Sequence, residues 1–556
     1  MGSPSSAKPP AHDKTITFDS FPKLKENWKH SLAKSASTLR DEFPDYHISD
    51  PECLVTSSHV HSFRLGTGAS IYTQSLLPAI LLAKREVLLV TCFWKRSASL
   101  SALKETLEKL AEHRREHIRS VRASGSDTYV LPPLKISICF SSRSFFQKLF
   151  HTWSRDGYIY PPSTWSSQLG LPSPELLEAG LIDLRVKSLF FLPFSVMHPK
   201  FLIIDRERAW LPSCNVSKEA WFEGCVEVSG NVVSNLVKFY QQVWDRQLED
   251  QLTVSSNLAY QPDRPISLEE IGLTSVGSPA SFYEVFPLGV TTPTILLPSS
   301  HHRNPRFNIF PWLAYPSPPP TPLNTAILRL LDLAEHIIYL QTPNLTSMPV
   351  IDKIFEALKR GVNVAIFTSG RLMILEQLVT AGTTTSRCVQ SLIRRYEALK
   401  TQRSKLKERA NSGQAVDVEA QHPRLGLLNI YYFRPQSEDE WDPVDEEVVE
   451  EPAQSHIKLT IVDAQYVVLG SGNMDRASWF TSQELGIMFH SRDIATAIAS
   501  AVGEVLSLRR DPIFVSSADD DDESEEQLSP EQNTNQDQQG NQDSEGGSKT
   551  GAPGER

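Results

Sequence analysis

The chain has 556 residues, with 66 acidic and 55 basic side chains and a formal net charge of −11. At 40% hydrophobic residues it holds material for a large core, which excludes wholesale disorder. No window supplies the roughly 20 uninterrupted apolar residues of a membrane span, because the best candidate, Ile71 to Trp94, is cut by Pro78 and by Lys84-Arg85-Glu86.

In chain order, residues 1–45 are rich in Ser, Pro and Lys and read as a flexible N-terminal segment. A first half follows, residues 46–290. In it SLLPAILLAKREV reads as a helix leading into a continuous apolar run, Val87 to Phe93, with the character of a buried strand. LSALKETLEKLAE is helix-periodic, and LKISICFSS is a second strand. Residues 291–323 form a Pro-rich connection, with six prolines between Phe310 and Leu323 that remove amide donors and stiffen the backbone. The second half, residues 324–515, repeats the order: LNTAILRLLDLAE as helix, Ile337 to Leu340 as strand, MPVIDKIFEALKRG as helix and VNVAIFTSG as strand. It carries an insertion at 376–424 and an acidic loop at 437–451. Residues 516–556 lack large apolar groups and are expected to be disordered. Strand–helix–strand alternation predicts an α/β fold. Two similar passes predict duplicated halves, each a mixed β-sheet flanked by helices, packed about a pseudo-two-fold axis.

The charge is partitioned along this map. Residues 516–556 hold twelve acids and two bases, so the tail carries −10 and the rest −1. The run Ser437 to Glu451 holds nine acids and no base, and without it the remainder is +8. An acidic chain can therefore contain a body suited to phosphate. The six cysteines, Cys53, Cys92, Cys139, Cys214, Cys225 and Cys388, form no CxxC pair. They read as reduced thiols, not as a disulfide framework or zinc site. With no apolar leader after Met1, a cytoplasmic location is expected.

Near the end of each half a motif recurs. The first copy reads HPKFLIIDRERAWLPSCNVSKEAWFEGCVEV and the second HIKLTIVDAQYVVLGSGNMDRASWFTSQELGI. His198, Lys200, Asp205, Ser213, Asn215, Trp221 and Phe222 return at His456, Lys458, Asp463, Ser471, Asn473, Trp479 and Phe480, each 258 residues later. Glu227 and Glu484 follow with a one-residue slip. On a strand, residues two apart share a face, so each His is expected to project with its Lys. If the halves pack symmetrically, two imidazoles and two ammonium groups meet in one pocket. Such a pocket suits a tetrahedral phosphoryl group: one His attacks phosphorus, the other protonates the leaving oxygen, and the lysines offset charge on the non-bridging oxygens. Glu227 and Glu484 are placed to accept from the far nitrogen of a histidine.

HxKxxxxD followed by GSxN, present twice, resembles the phospholipase D superfamily, over about residues 60 to 510. The resemblance implies one active site between two α/β halves, a covalent phosphohistidine, and no metal or other cofactor. It implies water or an alcohol as acceptor, hence hydrolysis or phosphatidyl transfer. Carried over, His198, Lys200, Asp205, His456, Lys458 and Asp463 are the catalytic set, and Asn215, Asn473, Ser213 and Ser471 hold phosphate. His198 is preferred as nucleophile, although near-symmetric motifs do not separate it from His456. Asp205 and Asp463, seven residues past their histidines, are expected to support the fold or its electrostatics. Pro212 and Cys214 stand where the second copy has Gly470 and Gly472, and tolerance is expected because Ser213 and Asn215 survive.

Weaker signals remain. The basic stretch Arg394 to Arg409 reads as a solvated helix, or as a contact for anionic lipid. The acidic run before His456 would repel polyanions if it overhangs the pocket. Met1-Gly2 with Ser6 fits an N-myristoylation pattern. The expected substrate is a phospholipid at a membrane surface, handled by a monomer. The alternatives are a nuclease or other phosphodiesterase of the same superfamily, and a non-catalytic phosphate-binding scaffold.

Overall fold

A computed structural model describes residues 20–35, 43–123, 131–151, 156–191, 195–248, 268–300, 317–411, 424–436 and 449–517. In the first half the strands lie in the order Val55–Thr67, Trp221–Ser229, Arg208–Pro212, Phe201–Ile204, Glu86–Phe93, Leu134–Ser142 and Ile182–Ser188. The last three are parallel and the other neighbours antiparallel. The second half lays out Thr292–Ser299, Glu484–His490, Tyr466–Gly470, Leu459–Val462, Ile337–Gln341, Asn363–Thr368 and Leu428–Phe433 in the same pattern, again with the last three parallel. Helices Ala98–Ala123 and Met348–Lys359 supply the crossovers that parallel neighbours need. The fold is mixed α/β, as expected. The two sheets join where Val55 to Ser58 pairs with Thr292 to Ile295.

Core packing ties the halves together. One apolar cluster takes Phe63, Phe201 and Phe222 from the first half and Leu459, Ile487 and Phe489 from the second. Two further clusters lie under the helices of each half. The shared cluster makes the boundary between halves an interior, and each large side chain there contributes roughly 1.5–3 kcal/mol by burial.

Two boundaries differ from the sequence reading. Residues 20–35, placed in a flexible segment, form helix Ser20–Ser35. Leu24, Trp28 and Leu32 recur every four residues and are buried in the second-half core, and the Trp28 indole donates to the Pro322 carbonyl at 3.0 Å. A Ser/Lys-rich composition hid this one-sided stripe. Likewise the expected connection 291–323 begins with a core strand, Thr292–Ser299, whose alternate residues are too few to show a period. The acidic residues 437–448 and the tail from 518 lie outside the described residues, as do residues 1–19 with the myristoylation pattern. The insertion is largely helical, as Ile374–Ala381 and Thr385–Asn411. All six cysteines are free thiols. Among the described residues no helix is long and apolar enough to cross a membrane.

Candidate active site

The repeated aspartates build hairpins. Asp205 and Arg206 have φ of 53° and 59°, and Asp463 and Ala464 have 51° and 49°. Two consecutive left-handed residues are what a tight turn between twisted antiparallel strands requires, and Asp tolerates that region better than most. The Asp205 carboxylate accepts from the amides of Lys84, Arg85 and Glu86 at 3.0, 2.7 and 2.8 Å. Asp463 accepts from Glu335, His336 and Ile337 at 2.9, 2.8 and 2.9 Å. Each aspartate thus fastens its hairpin to the start of a parallel strand. Although grouped with the catalytic candidates, both spend their oxygens on backbone.

The His-x-Lys segments are not on a ladder strand. Phe201–Ile204 and Leu459–Val462 begin only after the lysines. Before each histidine the chain pairs with the opposite half: Met197 bridges Gln483, and Gln454 and Ser455 pair with Trp221 and Phe222. His-x-Lys is the crossing between that pairing and the strand of its own half. The amide of His198 donates to the Gln483 carbonyl at 3.0 Å, and that of His456 to Phe222 at 2.8 Å. The lysines fold back, Lys200 Nζ donating to the His198 carbonyl at 2.8 Å and Lys458 Nζ to that of His456 at 2.6 Å. Among the described residues one N–H of each ammonium is used, leaving two.

Each histidine takes its carboxylate partner from the other half. His198 Nδ1 donates to Glu484, with oxygens at 2.8 and 3.0 Å. His456 Nδ1 donates to Glu223 Oε1 at 2.8 Å. With the proton on Nδ1, Nε2 is left as the nucleophilic nitrogen of each ring. Ser471 Oγ donates to Glu484 at 2.5 Å and accepts from the Leu485 amide at 3.0 Å. Ser213 Oγ likewise donates to Glu223 and accepts from the Gly224 amide at 2.9 Å. The serines expected to hold phosphate therefore hold the glutamates.

Glu223, not Glu227, is the counterpart of Glu484. Glu227 accepts from Ser62 at 2.9 Å and pairs with Arg208 at 2.7 Å. The reason is three extra residues in the second copy between Asn473 and Glu484, folded into helix Arg476–Phe480. The 258-residue spacing fails past Asn215: Trp221 and Phe222 open strand Trp221–Ser229, whereas Trp479 and Phe480 end a helix. Trp221 instead tilts against the His456 ring, centroids 4.6 Å apart. Allowing a gap before the glutamate would have exposed the match.

Burial governs the electrostatics. It lowers the His198 pKa and drives His456 to about 3, against the pull of Glu484 and Glu223. Burial likewise brings Lys458 to about 7. For Glu223 burial acts upward, but His456, Lys458 and Ser213 outweigh it and hold the carboxylate below its usual range. Charges of the two halves act on each other, since Lys458 depresses His198 and Lys200 depresses His456.

Asn215 Oδ1 accepts from the Phe93 amide at 3.3 Å, which leaves its NH2 without a partner among the described residues. Asn473 Nδ2 donates to Asp475 at 2.9 Å, and its buried Oδ1 has no partner among the described residues. Pro212 causes no local collapse, because Ser213 donates its amide to Gly224 at 2.8 Å just as Ser471 does to Leu485 at 3.0 Å.

Residues 327–505 match the family model described as cardiolipin synthase, PLD-like domain. The second half of the chain thus carries a phospholipase D-like domain. A search of curated proteins finds no match for the chain. Among solved structures it is similar to a phosphatidylserine synthase from Haemophilus influenzae Rd KW20, at 13% identity and TM-score 0.45, over 88% of this chain and 92% of that one. A polyphosphate kinase from Porphyromonas gingivalis aligns at 10% identity and TM-score 0.38, over 81% and 48%. The phospholipase D family member Nuc from Salmonella typhimurium aligns at 17% identity and TM-score 0.21, over 34% and 90%. Likenesses this loose carry no functional argument.

Proposed function

We propose that the chain is a phosphodiesterase of the phospholipase D superfamily acting on phospholipids, by hydrolysis or phosphatidyl transfer, through a phosphohistidine. The observation that carries the reading is the reciprocal pairing of His198 with Glu484 and His456 with Glu223, beside Lys200 and Lys458. A bound phosphodiester anion favours the imidazolium that burial disfavours, so substrate itself equips one ring with a proton. The other ring, neutral, forms the P–N bond through Nε2 as the P–O bond to the leaving group breaks. The imidazolium gives its proton to that departing oxygen. It then takes a proton from water or an alcohol, whose oxygen attacks phosphorus and breaks the P–N bond. Lys200, Lys458 and the Asn215 NH2 face the non-bridging oxygens. Glu484 and Glu223 keep each Nδ1 protonated and steady the positive ring.

The lipid reading is favoured over a nuclease by the cardiolipin synthase description of the matched model. The Asp475 carboxylate, bonded to Asn473 at the site, also disfavours a polyanionic strand. The test is to incubate the protein with a phospholipid panel and with oligonucleotides, with and without a primary alcohol and a chelator. Chelator-resistant release of phosphatidic acid, or of phosphatidyl-alcohol when alcohol is present, is expected. Cleavage of oligonucleotide alone would refute the lipid reading.

A further inference from the structure

Helix Ile374–Ala381 is turned inside out. Its buried residue is a glutamine, Gln377, while Ile374, Leu375, Leu378 and Val379 are 41%, 77%, 41% and 48% exposed. Gln377 works as a polar hook. Its Nε2 donates to Asn344 Oδ1 at 2.9 Å, and its Oε1 accepts from the amide and hydroxyl of Thr385 at 2.6 and 2.9 Å. Four apolar side chains facing water on two turns of helix form a contiguous apolar patch whose burial against an apolar phase would be favourable.

The hook also fixes where this face lies. Asn344 Nδ2 reaches Asp475 at 3.5 Å, and Asp475 accepts from Asn473 at 2.9 Å. Gln377, Asn344, Asp475 and Asn473 thus form a chain of side chains from the apolar helix to the candidate phosphate site. Helix Ile374–Ala381 also packs on Arg476–Phe480, the helix that follows Asn473. From the first half, Lys148 lies near enough to act electrostatically on Glu376, so the helix faces the boundary between the halves. Exposed arginines flank it, Arg371 before and Arg387 after, and Arg394 and Lys405 continue the basic surface along the next helix.

We propose that helix Ile374–Ala381 seats the protein on a phospholipid bilayer, its apolar face entering the headgroup–acyl boundary and its flanking bases meeting anionic headgroups. This inference rests on the lipid reading of the site. It adds the surface that would bring lipid to it. Apolar burial together with headgroup attraction is the physics of an interfacial helix, and the hydrogen-bonded hook holds that face beside the phosphate site rather than elsewhere on the molecule.

The test is flotation of the full chain with phosphatidylcholine vesicles, with and without anionic phosphatidylglycerol, for wild type and for Leu375→Asp/Val379→Asp. Activity on a short-chain phospholipid below its micelle concentration is measured in parallel, and thermal unfolding checks the fold. Wild type should float, more so with anionic lipid. The double variant should bind at least about tenfold less, equivalent to about 1.4 kcal/mol, while keeping its activity on monomeric lipid. Equal flotation of the folded variant would overturn the proposal. So would equal flotation combined with a shift from dimer to monomer, which would make the face a contact between copies. Wild type that floats but converts no lipid would uphold the docking surface and refute the phosphodiesterase reading instead.

Discussion

The two halves place the same serine and asparagine by different packing. In the second, Gly470 has φ 154° and a Cβ there would lie 2.3 Å from the Leu485 carbonyl oxygen, so backbone meets backbone. Leu323, in the first turn of helix Pro322–Leu333, fills the space over Gly472, where a Cβ would come within 2.9 Å of Leu323 Cδ2. In the first half the volumes are exchanged. Cys214 supplies the bulk, and the facing first turn of helix Gly68–Ile71 is Gly68 and Ala69, with a Cβ on Gly68 only 3.3 Å from Cys214 Cβ. Pro212 is accommodated because its backbone does not take the positive φ of Gly470; its strand partner is Cys225, where Gly470 has Gly486. Motif glycines are thus a packing solution, not a requirement of the serine–glutamate geometry, which is common to both halves.

Experiments on this comparison differ in size. The largest concerns its symmetry. His198→Ala and His456→Ala should each lower kcat by about 10³-fold or more, since the proposed mechanism draws its nucleophile and its acid from different halves. Glu484→Gln and Glu223→Gln should each cost about 10²-fold, while Glu227→Gln should leave kcat near normal. Near-normal turnover in either histidine variant would break the shared-site model, and a Glu227 effect equal to that of Glu223 would undo the reassignment.

A middle effect concerns the lysines. With Lys458 brought to about 7 by burial, its ammonium is lost as pH rises through that value, so kcat/KM should decline on the alkaline side with an apparent pKa near 7. Lys458→Arg, which stays protonated, should move this limb above about pH 9. An unmoved limb would assign it to another group. The same shift makes the protein more stable as pH rises from about 7 towards the ordinary lysine value of 10.5, because there the unfolded chain binds the extra proton.

The smallest effect concerns packing. Gly472→Cys should lower stability by about 1–3 kcal/mol through contact with Leu323. Leu323→Ala in the same chain should recover part of that loss, visible as a coupling energy in a denaturant double-mutant cycle. Strict additivity would mean that the two sites do not exchange volume.

Much of this molecule was legible before its fold. Continuous apolar runs marked Glu86–Phe93 and Ile337–Gln341, because strands covered on both faces need apolar residues at successive positions. The doubled HxKxxxxD marked the histidines and lysines, since polar groups beside core strands need a reason. Helix Ser20–Ser35 and strand Thr292–Ser299 were missed, because a narrow buried stripe is diluted by Ser, Lys and Pro around it.

What the sequence determined by itself is therefore local: which segments are core, which residue types recur, and at what spacing. Only the tertiary structure decided the partnerships. Glu223 lies 25 residues from His198 along the chain yet hydrogen-bonds His456, 233 residues away. Ser213 and Ser471 face glutamates, and Asp205 and Asp463 face backbone amides, for the same reason. A spacing specifies distance along a chain. Which carboxylate reaches which ring is set by how the shared apolar core brings two sheets together.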